Sequence, residues 1–245
     1  MLVNCSPDIA QQIEAYAPLQ PRQTRGTPIT GMLFTDANID HLGGLAVLRQ
    51  AGPHAFQIHS SSVVRSIAAQ QPAFAPFLAQ PHTWNAISMD EAFLWNGLSL
   101  RAFSVPGTTP GYDGRRTVEG AVVAYEAEDK SGDSVLFAPV FSALNERLEA
   151  AILRANVAFL DGSFFSDDEM PDEHLSEKTA RHLGHQPVDG PGGTLEYVRI
   201  NHRAKRIIFT HLNNSNPMLD PGSNAAEKIR EAGAEIAYDG FEIER

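Results

Sequence analysis

Three short apolar runs, "GMLFTD", "VAFLDG" and "RIIFTH", each stop on a residue of metal-ligand type: Asp36, Asp161 and His211. Short apolar stretches bounded by polar loops read as buried strands. A strand that delivers a polar side chain at its carboxyl end places it at the rim of a sheet, where α/β proteins build their sites. The first run continues at once into Asp40 and His41. If the three strands are neighbours, Asp40, His41, Asp161 and His211 converge. Two imidazoles with carboxylates form a ligand set for zinc, manganese or iron, and two histidines with one carboxylate and open positions is the pattern of non-haem Fe(II) oxygenases.

The remaining chain alternates in the same way. "SPDIAQQIEAY", "HLGGLAVLRQAG", "SVVRSIAAQQPAF", "LNERLEAAILRA", "GGTLEYVRINHRA" and "NAAEKIREAG" carry helical spacing, the second ending at Gly52 and the third at Pro72. "FQIHSS", "LSLRAFSVPG" and "EIAYDG" read as strands, and "GAVVAYEAED" with "SVLFAPVF" as a hairpin across Lys130, Ser131, Gly132 and Asp133. Pro-Gly clusters at 106–111 and 187–193 mark functional or connecting loops rather than linkers. The expectation is a sheet-rich α/β domain with helices outside.

Composition narrows the function classes. The chain has 245 residues, enough for a sizeable core. Nineteen Lys and Arg against 30 Asp and Glu give a net charge of -11, which argues against nucleic acid or an anionic membrane surface as the main partner. A single cysteine, Cys5, excludes an internal disulfide and a multi-cysteine metal knuckle, and points to a reducing, cytoplasmic setting. No apolar run approaches the roughly 18 residues of a membrane span, and "MLVNCSPDIAQQ" lacks the layout of a signal peptide.

Blander readings compete at each position. An Asp-His pair in a loop is ordinarily a turn with a surface histidine, Asp161-Gly162 alone is an ordinary turn, and "LNNSNP" after His211 is the composition of a polar loop. His54, His59, His82 and His202 are read as structural or surface residues. His174, His182 and His185 share one loop-rich segment, where His185 is equally a pocket contact or a surface residue. "PGTTPG" and "GPGG" lack the strand, helix and lysine that make a phosphate loop.

Several segments carry a resemblance. "TDANIDHLGGL" resembles the H-x-H-x-D-H-x-x-G loop of the metallo-β-lactamase fold, with Asp36 and Asn38 where that loop has histidines. "VPGTTPGY" is similar to the fold's G-H-T-P-G loop, with Thr108 at its histidine. "FLDGSFF" and "THLNNSNPML" match the strands that deliver a bridging aspartate and the last ligand. "LVNCSPDIAQQI", "LQPRQTRGTPI", "TDANIDHLGGLAVLR", "DGSFFSDDEM", "GHQPVDGPGG", "THLNNSNPMLD" and "AYDGFEIE" resemble, in order, the coenzyme PQQ synthesis protein B family.

The resemblance implies an α/β fold of metallo-β-lactamase type. It would be one domain over 1–245, an αββα sandwich of two mixed β-sheets with helices on the outer faces. The fold's first metal site is altered at Asp36, Asn38 and Thr108, and the second is intact. The implied cofactor is therefore one divalent ion, Fe(II) with Zn(II) as the alternative, held by Asp40, His41, Asp161 and His211. Asp36, either orienting a ligand or binding directly, and His185 are the candidate catalytic residues. Family members begin with a further segment bearing strands and a cysteine cluster that resembles a structural zinc site, so the chain is expected to be shortened at its N-terminus, which bears on stability and on a homodimer. The implied activity, in pyrroloquinoline quinone (PQQ) biosynthesis, is iron-dependent hydroxylation of the tyrosine ring in a small, peptide-derived Glu–Tyr intermediate. Arg115, Arg116, Arg181 and Arg199 are candidate partners for its acidic groups, each with a surface role as the plain alternative. The alternatives are a non-catalytic binder or carrier of PQQ or its precursor and, less favoured, a metal-dependent hydrolase, since the altered first site removes a usual means of making metal-bound hydroxide.

Overall fold

A computed structural model describes residues 1–24, 26–48, 55–201 and 206–243. The expected helix end at Gly52, and His54 and His202, lie outside the described residues. The chain divides into two compact units, one of residues 1–91, 102–104 and 108–123, the other of 92–101, 105–107 and 124–245.

The first unit carries β1 (Leu2–Val3), α1 (Ile9–Ala15), β2 (Gly31–Leu33), α2 (Ile39–Leu42), α3 (Gly44–Leu48), β3 (Gln57–Ser60), α4 (Ser62–Ala69) and β4 (Thr83–Ala86). Its sheet has the order β1-β2-β3-β4. Every pair in it is parallel. A mixed sheet was expected; this one is parallel because each connection between successive strands contains helix, and a parallel pair needs such a crossover where an antiparallel pair needs only a tight turn. Met32, Phe34, Leu42, Leu45, Ile58, Val64 and Ile67 form the centre of its core. The Gly-Gly pair divides the expected single helix into α2 and α3. A Cβ on Gly44 would lie 2.3 Å from the Ser6 carbonyl oxygen and 2.5 Å from Cys5 Sγ, so only glycine lets the two segments approach this closely.

The second set of elements is β5 (Ala92–Trp95), β6 (Leu98–Ser104), β7 (Val123–Glu128), β8 (Ser134–Ala138), α5 (Glu146–Arg154), β9 (Val157–Asp161), α6 (Glu169–Asp172), α7 (Ala180–Leu183), α8 (Thr194–Asn201), β10 (Arg206–Thr210), α9 (Asn224–Glu231) and β11 (Glu235–Ile236). The order β11-β10-β9-β8-β7-β6-β5 makes a seven-stranded sheet. It is mixed, with β8 to β11 parallel and the β5-β6 and β7-β8 pairs antiparallel. The expected hairpin is β7-β8, its turn closed by Asp129 Oδ1, which accepts from the Ser131 and Asp133 amides. Side-chain caps start two of the helices: Asn145 accepts from the Leu148 amide at α5, and Ser223 from the Ala226 amide at α9.

Strands β9 and β10 lie side by side with Asp161 opposite Thr210. Their apolar residues Ala158, Leu160, Ile207, Ile208 and Phe209 are buried, as expected for central parallel strands. The three strands that lead to Asp36, Asp161 and His211 are therefore not all neighbours: β9 and β10 are, whereas β2 belongs to the four-stranded sheet. The apolar runs alone carry no information about which sheet each joins.

Candidate metal centre

In the first unit the loop after β2 is organised around one carboxylate. Asp36 Oδ1 accepts from the backbone and side-chain amides of Asn38, both at 2.9 Å. Asp36 Oδ2 accepts from Thr35 Oγ1 at 2.8 Å and from His41 Nδ1 at 2.6 Å. Asn4 holds Thr35 in turn, donating to its hydroxyl and accepting from its amide. Asp36 is fully buried, which by itself would raise its pKa. The adjoining His41 charge and these hydrogen bonds overcome that penalty and hold the carboxyl well below the usual range. An ionised Asp36 can only accept, so His41 carries a proton on Nδ1.

Asn38, at a position where the resembling motif has histidine, turns its amide into this network. Asp40, in the first turn of α2, is exposed, with Oδ2 4.0 Å from His41 Nε2. Tyr112 donates its hydroxyl to the Ala37 carbonyl of the same loop. Burial, with Asp36, Asp113 and Asp40 nearby, pushes its pKa up to about 12, so it remains a donor.

In the second unit the sequence-predicted Asp161 and His211 meet, and His185 joins them. The ligand atoms of Asp161, His185 and His211 all lie within 4.8 Å of one another. Asp161 Oδ2 accepts from His185 Nδ1 at 2.8 Å and from the Phe141 amide at 3.1 Å. Its Oδ1 accepts from the amide and hydroxyl of Ser163 at 2.9 and 2.6 Å. Burial opposes its charge, but His185, His211 and Ser163 lower its pKa below the ordinary value. The two imidazole rings stack, 5.6 Å between centroids. His211 sits at φ 62°, a left-handed conformation uncommon for a residue with a side chain.

The loop that follows His211 holds this arrangement. Asn216 Nδ2 donates to the Gly162 and Ser163 carbonyls, and the Asn213 amide to the Ser163 carbonyl. Gly162 in turn donates its amide to the Thr210 carbonyl. A Cβ at Gly162 would lie 2.9 Å from that oxygen, so glycine is required here. Glu169 accepts from the Phe165 amide and from Ser215 Oγ, while burial raises its pKa. The "DDEM" and "NNSNP" segments thus touch directly. Ser163, Glu169 and Asn216 were not singled out from the sequence; the one available signal was the polar residue two places after a strand-terminal aspartate.

The candidate substrate cations are partly engaged. Arg116 pairs with Asp113 at 2.6 Å, and Arg181 lies 3.6 Å from Asp167 and donates to the Pro191 carbonyl. Arg199 contributes to lowering the pKa of Asp189, and Arg115 stands at φ 51°.

The donor chemistry fits a divalent first-row metal, with paired imidazoles and an ionised carboxylate already oriented by hydrogen bonds. Comparison with known proteins agrees. Residues 1–212 match the family model described as a beta-lactamase superfamily domain. Coenzyme PQQ synthesis protein B of Rhizobium meliloti (strain 1021) is 38% identical over 98% of this chain and 80% of its own length. That of Xanthomonas oryzae pv. oryzae (strain MAFF 311018) is 36% identical over 99% of this chain and 82% of its own. The crystal structure of Zn(2+)-bound PqqB from Methylobacterium extorquens is 29% identical, with a TM-score of 0.90 over 98% of this chain and 82% of that chain. A diphosphatase from the PhnP family, at 17% identity and a TM-score of 0.67 over 100% of this chain and 79% of that chain, shares the fold. The chain has the metallo-β-lactamase fold and belongs to the coenzyme PQQ synthesis protein B family.

Proposed function

We propose that the chain is a metal-dependent enzyme of PQQ biosynthesis that hydroxylates the tyrosine ring of a cross-linked Glu–Tyr intermediate. The observation that supports the reading is the meeting of the His211 imidazole with the buried Asp161 carboxylate, beside a further imidazole, His185, hydrogen-bonded to the same carboxylate. The relatives' name supplies the pathway, and the Zn(2+)-bound relative supplies a precedent for a divalent metal in this family. The proposed ligands are Asp40, His41, Asp161 and His211, the first two taken from the motif resemblance. Bound Fe(II) supplies the one-electron chemistry through which dioxygen can react with a ring, which Zn(II) lacks. Asp161 would offset the charge of a bound metal, Asp36 holds the His41 ring through Nδ1, and His185, hydrogen-bonded to Asp161, would carry a proton. Arg115, Arg116, Arg181 and Arg199 are the candidate partners for the acidic groups of the substrate. The proposal includes a single domain over 1–245, a cytoplasmic setting and a homodimer, with no nucleic-acid or membrane partner. Among the described residues no helix is long and apolar enough to cross a membrane.

The test is metal analysis of anaerobically purified protein, then incubation with the Glu–Tyr compound, Fe(II), oxygen and ascorbate as electron source. Mass spectrometry should show one oxygen atom added to the ring only with Fe(II) present. Tight binding of PQQ without turnover would replace this reading with the carrier.

A further inference from the structure

Ser163 is the point where the second unit's site is joined. It is buried, and its single hydroxyl meets three ionisable side chains: Asp161 Oδ1 at 2.6 Å, His211 Nδ1 at 2.7 Å and His185 Nδ1 at 3.0 Å. A hydroxyl has one proton and two lone pairs. Both Asp161 oxygens already accept from backbone amides, Oδ2 from Phe141 and Oδ1 from Ser163, so the carboxyl presents lone pairs and the 2.6 Å contact requires the Ser163 proton to point at Oδ1. Were the proton turned to His211 instead, two sets of lone pairs would face each other at that distance in a buried site. The Ser163 oxygen is therefore left as an acceptor, and the neighbouring His211 nitrogen must donate to it. His185 is constrained likewise, because its Nδ1 also faces Asp161 Oδ2 at 2.8 Å.

We propose that Ser163 is a positioning residue: its hydroxyl, oriented by Asp161, fixes His211 as the Nδ1–H tautomer and so makes Nε2 the nitrogen offered to the metal. The inference rests on the reading of His211 as a ligand. It assigns to a short polar side chain the work that a carboxylate does at His41, where Asp36 accepts the same Nδ1 proton. The two histidines are thus prepared identically by different residues. The backbone amide of Ser163 donates to the same Asp161 oxygen at 2.9 Å, so the residue is held to that carboxylate by main chain and side chain together.

The experiment uses the full chain, ¹⁵N-labelled at histidine, with Zn(II) as the probe. Long-range ¹H–¹⁵N correlation of the metal-free protein should show His211 with a protonated Nδ1 and an unprotonated Nε2. Zn(II) competition against a chromophoric chelator should show Ser163→Ala weakening affinity by roughly 10–100-fold, with His211 redistributed between tautomers. Ser163→Thr, which keeps the hydroxyl, should restore both readings. An Nε2–H tautomer for His211 in the unaltered protein overturns the proposal, and this spectrum needs no variant to fold. If unaltered protein binds Zn(II) and Ser163→Ala matches it in affinity and tautomer, the role of Ser163 falls while the metal site stands. If the unaltered protein binds no Zn(II), both fall.

Discussion

Asp36 accepts hydrogen bonds from four donors, so its substitution has calculable consequences. In Asp36→Asn one oxygen becomes an NH2 group that must face donors, leaving a buried clash worth about 1–3 kcal/mol. The His41 ring loses its preferred acceptor but keeps the nitrogen proposed to bind the metal. Zn(II) or Fe(II) affinity should therefore fall by roughly 10–100-fold in Asp36→Asn, and much further in His41→Ala and His211→Ala. Asn38→Ala should leave metal affinity nearly unchanged, since that amide donates to Asp36. Titration of these variants decides the matter: a loss in Asp36→Asn equal to that in His41→Ala would make Asp36 a direct ligand. The sequence identified Asp36 as unusual through its departure from a histidine motif, but left two roles open. Only the side-chain direction of His41 separates them, and a residue string carries no such direction.

Elements were legible where their apolar pattern was strong. Strands β9 and β10 and the capped helices α5 and α9 fall where periodicity places them. Strands β4 and β5 escaped because much of each is exposed, Leu94 by 84%, so no buried stripe marks them. The pairing of α2 and α3 with the segment after β1 yields a prediction of its own. Cys5 donates its amide to the His41 carbonyl and accepts from the Gly44 amide, and burial pushes its thiol up to about 12 from 9.0. The folded protein should resist iodoacetamide at pH 8 and react once unfolded in urea. The raised value also fixes the sign of a pH effect. The folded state holds this proton more tightly, so the contribution is complete below the unfolded thiol's value and is lost as pH rises toward 12. Urea midpoints between pH 8 and pH 10.5 should fall further for the unaltered protein than for Cys5→Ala. Parallel declines would exclude the thiol as the cause.

For the whole molecule, matched length and motif order were the informative quantities. The curated relatives are covered to 80% and 82% of their length, which explains why segments scattered from Leu2 to Glu244 pointed to one family. Sheet membership was not legible, because burial of a strand does not name its neighbour. By the motif resemblance, Asp36, Asn38 and Thr108 stand where a second metal would need histidines, so the unaltered polypeptide should bind one metal at this site. Plasma mass spectrometry on protein dialysed against excess Zn(II) checks this; two ions per chain would mean that the altered residues still coordinate.

The hydrogen bonds from Asn213 and Asn216 to the 162–163 segment have a calorimetric consequence. They tie the loop after His211 to the 162–163 segment, so metal loading should order little additional chain and remove little apolar surface from water. Heat-capacity change on binding reports such burial. Isothermal titration of Zn(II) at several temperatures, corrected for buffer protonation, should give a ΔCp near zero for the unaltered chain. Asn216→Ala, which unfastens the turn, should make ΔCp clearly negative as folding of the loop becomes part of the binding reaction.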